Sequence, residues 1–365
     1  MKERVSIARI APGATIGILG GGQLGRMLAV AAARLGYRCH VYSPDADAPA
    51  AAVAAETTVA AYDDEAALTR FAAAVDVVTY EFENVPSGAA EIVSRHVPVR
   101  PDADTLATCQ DRIREKAFLT GIGAPVSPYR PVTGADDLSA ALAAICRPAV
   151  LKSARFGYDG KGQVIIDADT DPVDAWTRIG CRASIVERWV DFRMEISVVI
   201  ARAGDGTMAA YVPVQNIHEG HILKRTIAPA PIAPVLATAA TDLAGRIAEG
   251  LSLNGVLAVE MFVTWDNRLI ANEMAPRPHN SGHWTLDACL ISQFEQCVRA
   301  ICGLPLGLAD RHSDAVMDNL LGDDVNRWPL LIAEPGTAVH LYGKSQARPD
   351  RKMGHVTRLT PRRDA

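Results

Sequence analysis

The segment that most restricts how this chain can fold is a pair of apolar arms around a polar turn. Val256-Leu-Ala-Val-Glu260-Met-Phe-Val-Thr264 leads through Trp265-Asp266-Asn267-Arg268 and returns as Leu269-Ile-Ala-Asn272-Glu273-Met274. Arms so rich in β-formers close as an antiparallel hairpin, and Asp266-Asn267 suits a two-residue loop. With the turn centred between those two residues, Glu260 faces Glu273 across the ladder. Like charges directly opposite destabilise a sheet, so the pairing implies a positive group between them, and a divalent metal bridging phosphate oxygens meets that need. The hairpin runs on into Ala275-Pro-Arg277-Pro-His279-Asn280-Ser281-Gly282-His283-Trp284-Thr285, dense in anion-binding and hydrogen-bonding side chains. The expectation is a magnesium-nucleotide site with a substrate site beside it.

At 365 residues the chain exceeds one ordinary core, so two or three packed units are expected. Hydrophobic residues at 49% and charged residues at 22% describe a soluble globular protein rather than a disordered one. A net charge of −5 argues against general nucleic-acid binding, which needs a basic footprint to displace counterions. The seven cysteines (Cys39, Cys109, Cys146, Cys181, Cys289, Cys297 and Cys302) are scattered and contain no C-x-x-C pair. That usage fits a reducing cytoplasm better than a disulfide framework or a zinc site. No apolar run is long enough to span a bilayer, and the apolar N-terminal segment enters a glycine loop without a small-residue cleavage site.

Thr15 to Gly20 reads as a buried strand, followed by Gly20-x-Gly22-x-x-Gly25 and a helix to about Leu35. Strands at Tyr37–Tyr42 and Val75–Tyr80 complete a parallel α/β pattern, with Ala46–Ala61 read as helix and connector. A helix from Asp111-Arg112 ends near Gly121-Ile-Gly123, and Pro125, Pro128 and Pro131 mark a linker. A compact α+β unit follows: helix Asp136–Ile145, strand Ala149–Lys152, the Gly157–Gly162 loop, strand Gln163–Ile166, a helix near Pro172–Ile179 and strand Ser184–Val190. From Arg193 strands dominate, with helices at Pro234–Leu251 and Ile291–Ile301. The expected units are an extension (1–14), an N-terminal α/β domain (15–122), a small domain (123–192) and a larger C-terminal domain (193–365).

Each motif has a plain alternative. The Gly20–Gly25 loop makes an anion seat at a helix start, and its dinucleotide reading needs Asp45 as ribose acid, which sits poorly behind Ser43-Pro44; a phosphate-bearing substrate suits it better. Gly157-Tyr-Asp-Gly160-Lys161-Gly162-Gln163 joins two strands and has its lysine misplaced for a Walker A loop, so it is either a flap over polyphosphate or an ordinary hairpin. Lys152 ends an apolar strand and wants an anion or solvent; Lys116 is explained equally by a solvated helix face. Ile185–Val190 could offer backbone groups to an adenine, and Glu195 bonds to a ribose. His279 and His283 are four apart, but Pro276, Pro278 and Gly282 forbid the helix that a zinc pair would use. Lys344, Arg348, Arg351 and Lys352 gather beside Gly354-His355 between apolar strands, a cluster that suits a phosphate partner or plain solvated surface.

Taken together, GGGQLG at Gly20–Gly25, TYEFENVP at Thr79–Pro86, Lys152, GYDGKGQ at Gly157–Gln163, Glu187–Val190, Glu260, Asn272-Glu273 and APRPHNSGHWT at Ala275–Thr285 resemble the ATP-grasp enzymes. The resemblance is strongest to the N5-carboxyaminoimidazole ribonucleotide synthetases of purine biosynthesis and covers about Thr15 to Leu359. It implies an α/β and α+β ATP-grasp architecture: a biotin-carboxylase-like N-terminal domain, a small lid and a larger C-terminal domain. It implies ATP and Mg2+ as cofactors, 5-aminoimidazole ribonucleotide and bicarbonate as substrates, and a cytoplasmic homodimer.

Carried over residue by residue, the resemblance assigns the ATP phosphates to Arg112, Lys152 and the loop Gly157, Tyr158, Asp159, Gly160, Lys161, Gly162 and Gln163. Glu187, Arg188, Trp189 and Val190 would read the adenine, with Glu195 on the ribose, and His218 and Asn272 completing the nucleotide site. Glu260 and Glu273 would hold magnesium, while Arg277, His279 and Asn280 would hold bicarbonate and carboxyphosphate. Tyr158, Asp159 and Glu81 would approach the aminoimidazole, and Gly22, Gln23 and Leu24 with Lys344, Arg351 and Lys352 would take its 5′-phosphate. The chain departs from the pattern in about fourteen residues before the first strand and in stopping ten residues after His355, where relatives often continue. Rival readings are another ATP-grasp ligase or transformylase, which would not be expected to carry HNSGHWT, an NAD-dependent dehydrogenase using Gly20–Gly25, and a non-catalytic ATP-binding module.

Overall fold

The computed structural model describes residues 9–155, 157 and 162–363. In its N-terminal domain β1 (Thr15–Leu19), β2 (Arg38–Ser43), β3 (Glu56–Val59) and β4 (Val77–Tyr80) form a parallel sheet in the order β3-β2-β1-β4. The short run Glu56-Thr-Thr-Val59 corrects the expected helix and connector at 46–61, which instead holds a single 3-10 turn at Ala51–Val53 and an edge strand. Its β-branched residues suit a pleated surface better than a helix. The helix Gln23–Arg34 springs from the glycine loop, and Ile10 is fastened ahead of β1 by Cys302 O at 2.9 Å and the Tyr37 hydroxyl at 2.7 Å.

Next, β5 (Tyr129–Val132), β6 (Ala149–Ser153), β7 (Gln163–Ile166) and β8 (Ser184–Arg188) form an antiparallel sheet in the order β5-β8-β6-β7. The expected proline linker is therefore partly strand. Pro131 is accommodated because β5 is an edge strand, where a missing N–H breaks no ladder on the outer side. The helices Ala135–Ile145 and Pro172–Arg178 cover the sheet's apolar side.

The C-terminal part is antiparallel throughout. It comprises β9 (Phe192–Arg202), β10 (Met208–Ala210), β11 (Val214–Glu219), β12 (Ile222–Ala228), β13 (Gly255–Thr264), β14 (Leu269–Ala275), β15 (Ser313–Leu321), β16 (Thr337–Leu341) and β17 (Lys352–Pro361). Among the described residues the order is β14-β13-β9-β11-β12-β15-β17-β16, with β10 on β9. The helix Gln293–Ile301 is buried along almost its whole length, and one hydrophobic core runs from Leu24, Leu28 and Ala32 through Phe294, Val298 and Ile301 to Val256 and Ala258 of β13. That helix joins the N-terminal domain to the large sheet. Among the described residues, no helix is long and apolar enough to cross a membrane.

The hairpin closes differently from expectation. The Thr264 N–H donates to Arg268 O at 3.0 Å around a three-residue loop, with Asn267 at φ +60°, and Val263 faces Leu269. This register would set Glu260 against Asn272, but a bulge between Glu260 and Met261 takes up one residue and leaves Glu260 facing Glu273. The expected pairing is present because the longer loop and the bulge compensate. Asn267 occupies the left-handed region that β-branched residues avoid. Urea unfolding should therefore find Asn267→Val less stable by about 1–2 kcal/mol, with Asn267→Gly close to the parent; equal losses would exclude backbone strain as the cause.

Candidate active site

Three layers meet in the cleft: the helix Arg112–Gly121, strands β6 and β8, and the β13–β14 hairpin. Asp111 caps the helix by accepting from Ile113 N at 3.0 Å and Arg114 N at 3.3 Å, which aims Arg112, Glu115 and Lys116 at the other two layers. Lys116 is 1% exposed, not the solvated helix face that its spacing also allowed. It donates to Asn272 O at 2.8 Å and pairs with Glu187 at 3.1 Å, while Lys152 approaches the same carboxylate at 3.0 Å. Burial alone would raise the Glu187 carboxyl, but Lys152 and Lys116 outweigh it and hold the group down at about 2. Burial lowers Lys152, partly offset by Glu187. Beside them Arg112 binds Glu273 at 2.8 Å and keeps that carboxyl low against its own burial. Glu115, not singled out in the sequence, accepts from Met274 N at 2.6 Å; burial lifts it to about 8 against the pull of Arg112 and Lys116.

The expected phosphate ligands Arg112 and Lys152 are thus brought together. Of the flap, Gly162 O accepts from Ser153 N at 2.8 Å and Gln163 Nε2 meets His221 Nδ1 at 3.3 Å. Tyr158, Asp159, Gly160 and Lys161 lie outside the described residues. In the strand expected to read the adenine, the Arg188 N–H donates to Pro128 O and the Trp189 N–H to Pro148 O, both at 2.9 Å, so these two backbone donors are engaged within the protein. The Glu187 side chain faces the two lysines, Trp189 is exposed and Val190 is half-buried. Glu195 sits 2.6 Å from His218 Nδ1. Burial would lower the His218 pKa, but the adjacent Glu195 carboxylate outweighs it and raises the value.

Glu260 and Glu273 have protein partners as well as suiting a metal: Arg112 is ion-paired with Glu273, and His279 Nε2 lies 3.2 Å from Glu260 Oε1. Two carboxylates on one face, with the bulged Asn272 Oδ1 buried and lacking a partner among the described residues, make a set of hard oxygen donors that fits Mg2+. Just beyond β14, the Arg277 guanidinium grips Glu83 through Nε and Nη2 and gives Nη1 to Pro278 O at 2.9 Å. Glu83 stands in the Thr79–Pro86 run, but nothing local in that run reveals a partner almost two hundred residues away. The amides of Asn280 and Asn319 exchange bonds of 3.0 and 2.6 Å. Ser281 Oγ lies 2.8 Å from His279 Nδ1 and 2.7 Å from Ser197 Oγ.

At the other end of the cleft the anion seat is already filled from within. The Glu81 carboxylate accepts from Gly22 N at 2.9 Å and Gly25 N at 3.1 Å, and a Cβ at Gly20 would fall 2.7 Å from its Cγ. In the Gly22–Leu24 loop, expected to take a phosphate, the Gly22 N–H binds Glu81. Burial raises the Glu81 pKa against the two amide bonds. Lys344 Nζ donates to Lys352 O at 2.7 Å and Arg351 Nη1 to Gln346 O at 2.8 Å. A Cβ at Gly343 would stand 3.7 Å from Arg26 Nη1, so the basic loop abuts the helix that begins at the glycine loop. Arg26, one turn into that helix, adds a cation that the motif reading passed over.

Behind the site, ligand atoms of Asp287, His340 and His355 lie within 4.8 Å of one another. The His340 and His355 rings stack at 4.4 Å and 11°, so their lone pairs run in parallel planes without converging, and His340 Nε2 is engaged by Asp287 at 3.0 Å. The packing is that of an aromatic stack rather than a metal cage.

A small antiparallel sheet beside a large one, with paired cations and paired carboxylates between them, defines an ATP-grasp enzyme. The ATP-grasp domain model matches residues 117–294, the ribonucleotide synthetase preATP-grasp domain 13–110, and the phosphoribosylaminoimidazole carboxylase C-terminal domain 315–365. The chain is 49% identical to the N5-carboxyaminoimidazole ribonucleotide synthase of Brucella melitensis, covering 96% of this chain and 98% of that one. With the Bacillus subtilis synthase it shares 43% identity over 95% and 92%. The ADP complex of an N5-carboxyaminoimidazole ribonucleotide synthetase superposes with a TM-score of 0.94 at 43% identity, covering 97% and 94%. The Aspergillus clavatus enzyme with ADP and 5-aminoimidazole ribonucleotide gives 0.89 at 31% identity, covering 95% and 94%. The chain belongs to the N5-carboxyaminoimidazole ribonucleotide synthase family, and is an ATP-using, ADP-forming ligase of purine biosynthesis.

The His218–Glu195 pair has a pH signature. Because folding raises the imidazole pKa, its stabilisation is full below the unfolded value of 6.5 and is lost as pH rises through the folded one. The stability gap between wild type and Glu195→Gln should therefore be larger at pH 6 than at pH 9 in chemical unfolding; a gap that widens with pH would show that the pair does not stabilise the charged imidazole.

Proposed function

We propose that this chain carboxylates the exocyclic amine of 5-aminoimidazole ribonucleotide with bicarbonate and ATP, through carboxyphosphate, with the cleft residues in the following roles. The observation that carries this reading is the contact between His279 and Glu260. It joins the oxygen-donor pair of the hairpin to the Arg277–Asn280 loop, so phosphoryl transfer and bicarbonate binding share one wall.

Arg112 and Lys152 hold ATP phosphate oxygens, exchanging their carboxylate partners for phosphate. Lys116, fixed on Glu187 and Asn272 O, supplies standing positive charge behind them. Mg2+ held by Glu260 and Glu273 neutralises charge on the transferring phosphoryl group when bound. The flap from Gly157 to Gln163 closes over the phosphates, Glu187–Val190 border the adenine, and Glu195 with His218 holds the ribose.

Arg277 retains one N–H on each terminal nitrogen beyond its contacts with Glu83 and Pro278 O, a planar fork suited to bicarbonate. His279 and Asn280 flank that oxyanion. A bicarbonate oxygen attacks the γ-phosphorus and ADP leaves. The carboxyphosphate so formed releases phosphate and carbon dioxide, and the substrate amine adds to the carbon as it gives up a proton. Tyr158, Asp159 and Glu81 address the aminoimidazole, and Gln23, Leu24, Lys344, Arg351 and Lys352 its 5′-phosphate. We assign the protein to the cytoplasm, since its cysteines are all free thiols, and to a homodimer as the resemblance implies.

Release of ADP from magnesium-ATP should require both the ribonucleotide and bicarbonate; release indifferent to the ribonucleotide would sink the substrate assignment. Glu273→Gln should abolish turnover with the fold intact by circular dichroism, and normal activity would remove Glu273 as metal ligand. Arg351→Ala should raise KM for the ribonucleotide about tenfold or more, the weight of a charged hydrogen bond at about 1.5–3 kcal/mol, with little change in KM for ATP. Equal changes for the two substrates would overturn its phosphate role.

A further inference from the structure

We propose that Gln293, outside the cleft, is the positioning residue that sets His279 for the reaction; the inference rests on the bicarbonate role of His279 given above. Gln293 is 0% exposed at the first turn of the buried helix Gln293–Ile301. Its Oε1 accepts from His279 N at 2.8 Å and its Nε2 donates to His279 O at 2.7 Å. His279 is extended, at φ −121° and ψ 150°, so its N–H and C=O point to one side. The side-chain amide matches that pair as a neighbouring strand would. The second hydrogen on Nε2 faces His283 Nδ1 at 3.1 Å, so both amide donors are used, and its own backbone N–H donates to Thr285 Oγ1 at 3.0 Å.

No residue type with a single polar function reproduces this. Glutamate keeps the acceptor and loses both donors; methionine keeps the shape and loses everything. The neighbouring sequence fits the clamp closely. A Cβ on Gly282 would meet Gln293 Nε2 at 3.0 Å and its oxygen closer still, so glycine is needed for the amide to lie against the loop. The helix that carries Gln293 is wedged between the helix Gln23–Arg34 and β13, which leaves the amide little room to shift. Through these two bonds the backbone of His279 is pinned along one edge, and the imidazole reaches Glu260 at 3.2 Å.

The test compares full-length Gln293→Glu and Gln293→Met with His279→Asn in steady-state kinetics, varying each substrate in turn. The clamp requires kcat/KM for bicarbonate to fall on the order of 10²-fold in both Gln293 variants, as for a reacting group misplaced by about 1 Å, while KM for ATP stays near the parent value. Parent-like bicarbonate kinetics in the Gln293 variants beside a crippled His279→Asn enzyme would overturn the clamp alone. A parent-like His279→Asn enzyme would instead overturn the bicarbonate assignment. In that event a crystal structure of Gln293→Glu decides the clamp independently of the reaction: a released His279 backbone with a lengthened contact to Glu260 supports it, and an unmoved loop overturns it. Gln293→Glu, close to isosteric, serves for every readout where Gln293→Met does not fold.

Discussion

The geometry of the cleft depends on one ammonium group. Lys116, almost without exposure, is carried by the helix Arg112–Gly121, pairs with a carboxylate of the small sheet and donates to a carbonyl of the hairpin. A buried charge is costly unless it is both paired and hydrogen-bonded. Lys116 meets both conditions only when all three layers are in register. Removing Glu187 would leave two ammonium groups facing one another, so the carboxylate is the anion that ties the helix to the small sheet.

The same economy of charge explains how the carboxylate pair of the hairpin persists. Glu260 and Glu273 face each other, and each has a partner within the protein: Arg112 pairs with Glu273, and His279 Nε2 approaches Glu260. The glycine loop follows a related logic. Its amides would be a strong anion seat, and Glu81 satisfies two of them, which holds the loop in place. A glycine fingerprint read alone suggests a phosphate there; the fold sets an internal carboxylate against two of those amides, beside the cations of Lys344, Arg351 and Arg26.

Local chemistry was legible in the sequence where it is periodic. The parallel strands, the hairpin arms and the Glu260–Glu273 pairing came from apolar runs, although the pairing held only because the three-residue loop and the bulge at Asn272 cancel. Short edge strands were not legible: β3 lay in an alanine-rich stretch and β5 among prolines, where composition argues for connector. Neither were the partners supplied from far along the chain. Glu83 on Arg277, Asn319 on Asn280 and the burial of Lys116 are products of tertiary closure, and no periodicity marks them. The family motifs locate the reacting residues without revealing the groups that hold them.

That division between reacting and holding groups has a physical basis. The Ala275–Thr285 segment carries two prolines and a 3-10 turn, so its own backbone bonds are too few to fix it. Its stiffness comes from three buried polar anchors on three separate elements: Gln293 on the interdomain helix, Asn319 on β15 and Ser197 on β9. Each anchor is buried, and each is tied in turn to a further group, such as Asn216 on Ser197 and Leu223 O on Asn319. A half-satisfied network of this kind would cost more than an apolar core, whereas a complete one specifies a single geometry. Arg277, His279 and Asn280 can therefore stand on an irregular loop while the precision of their placement resides in the sheet and helix beneath it.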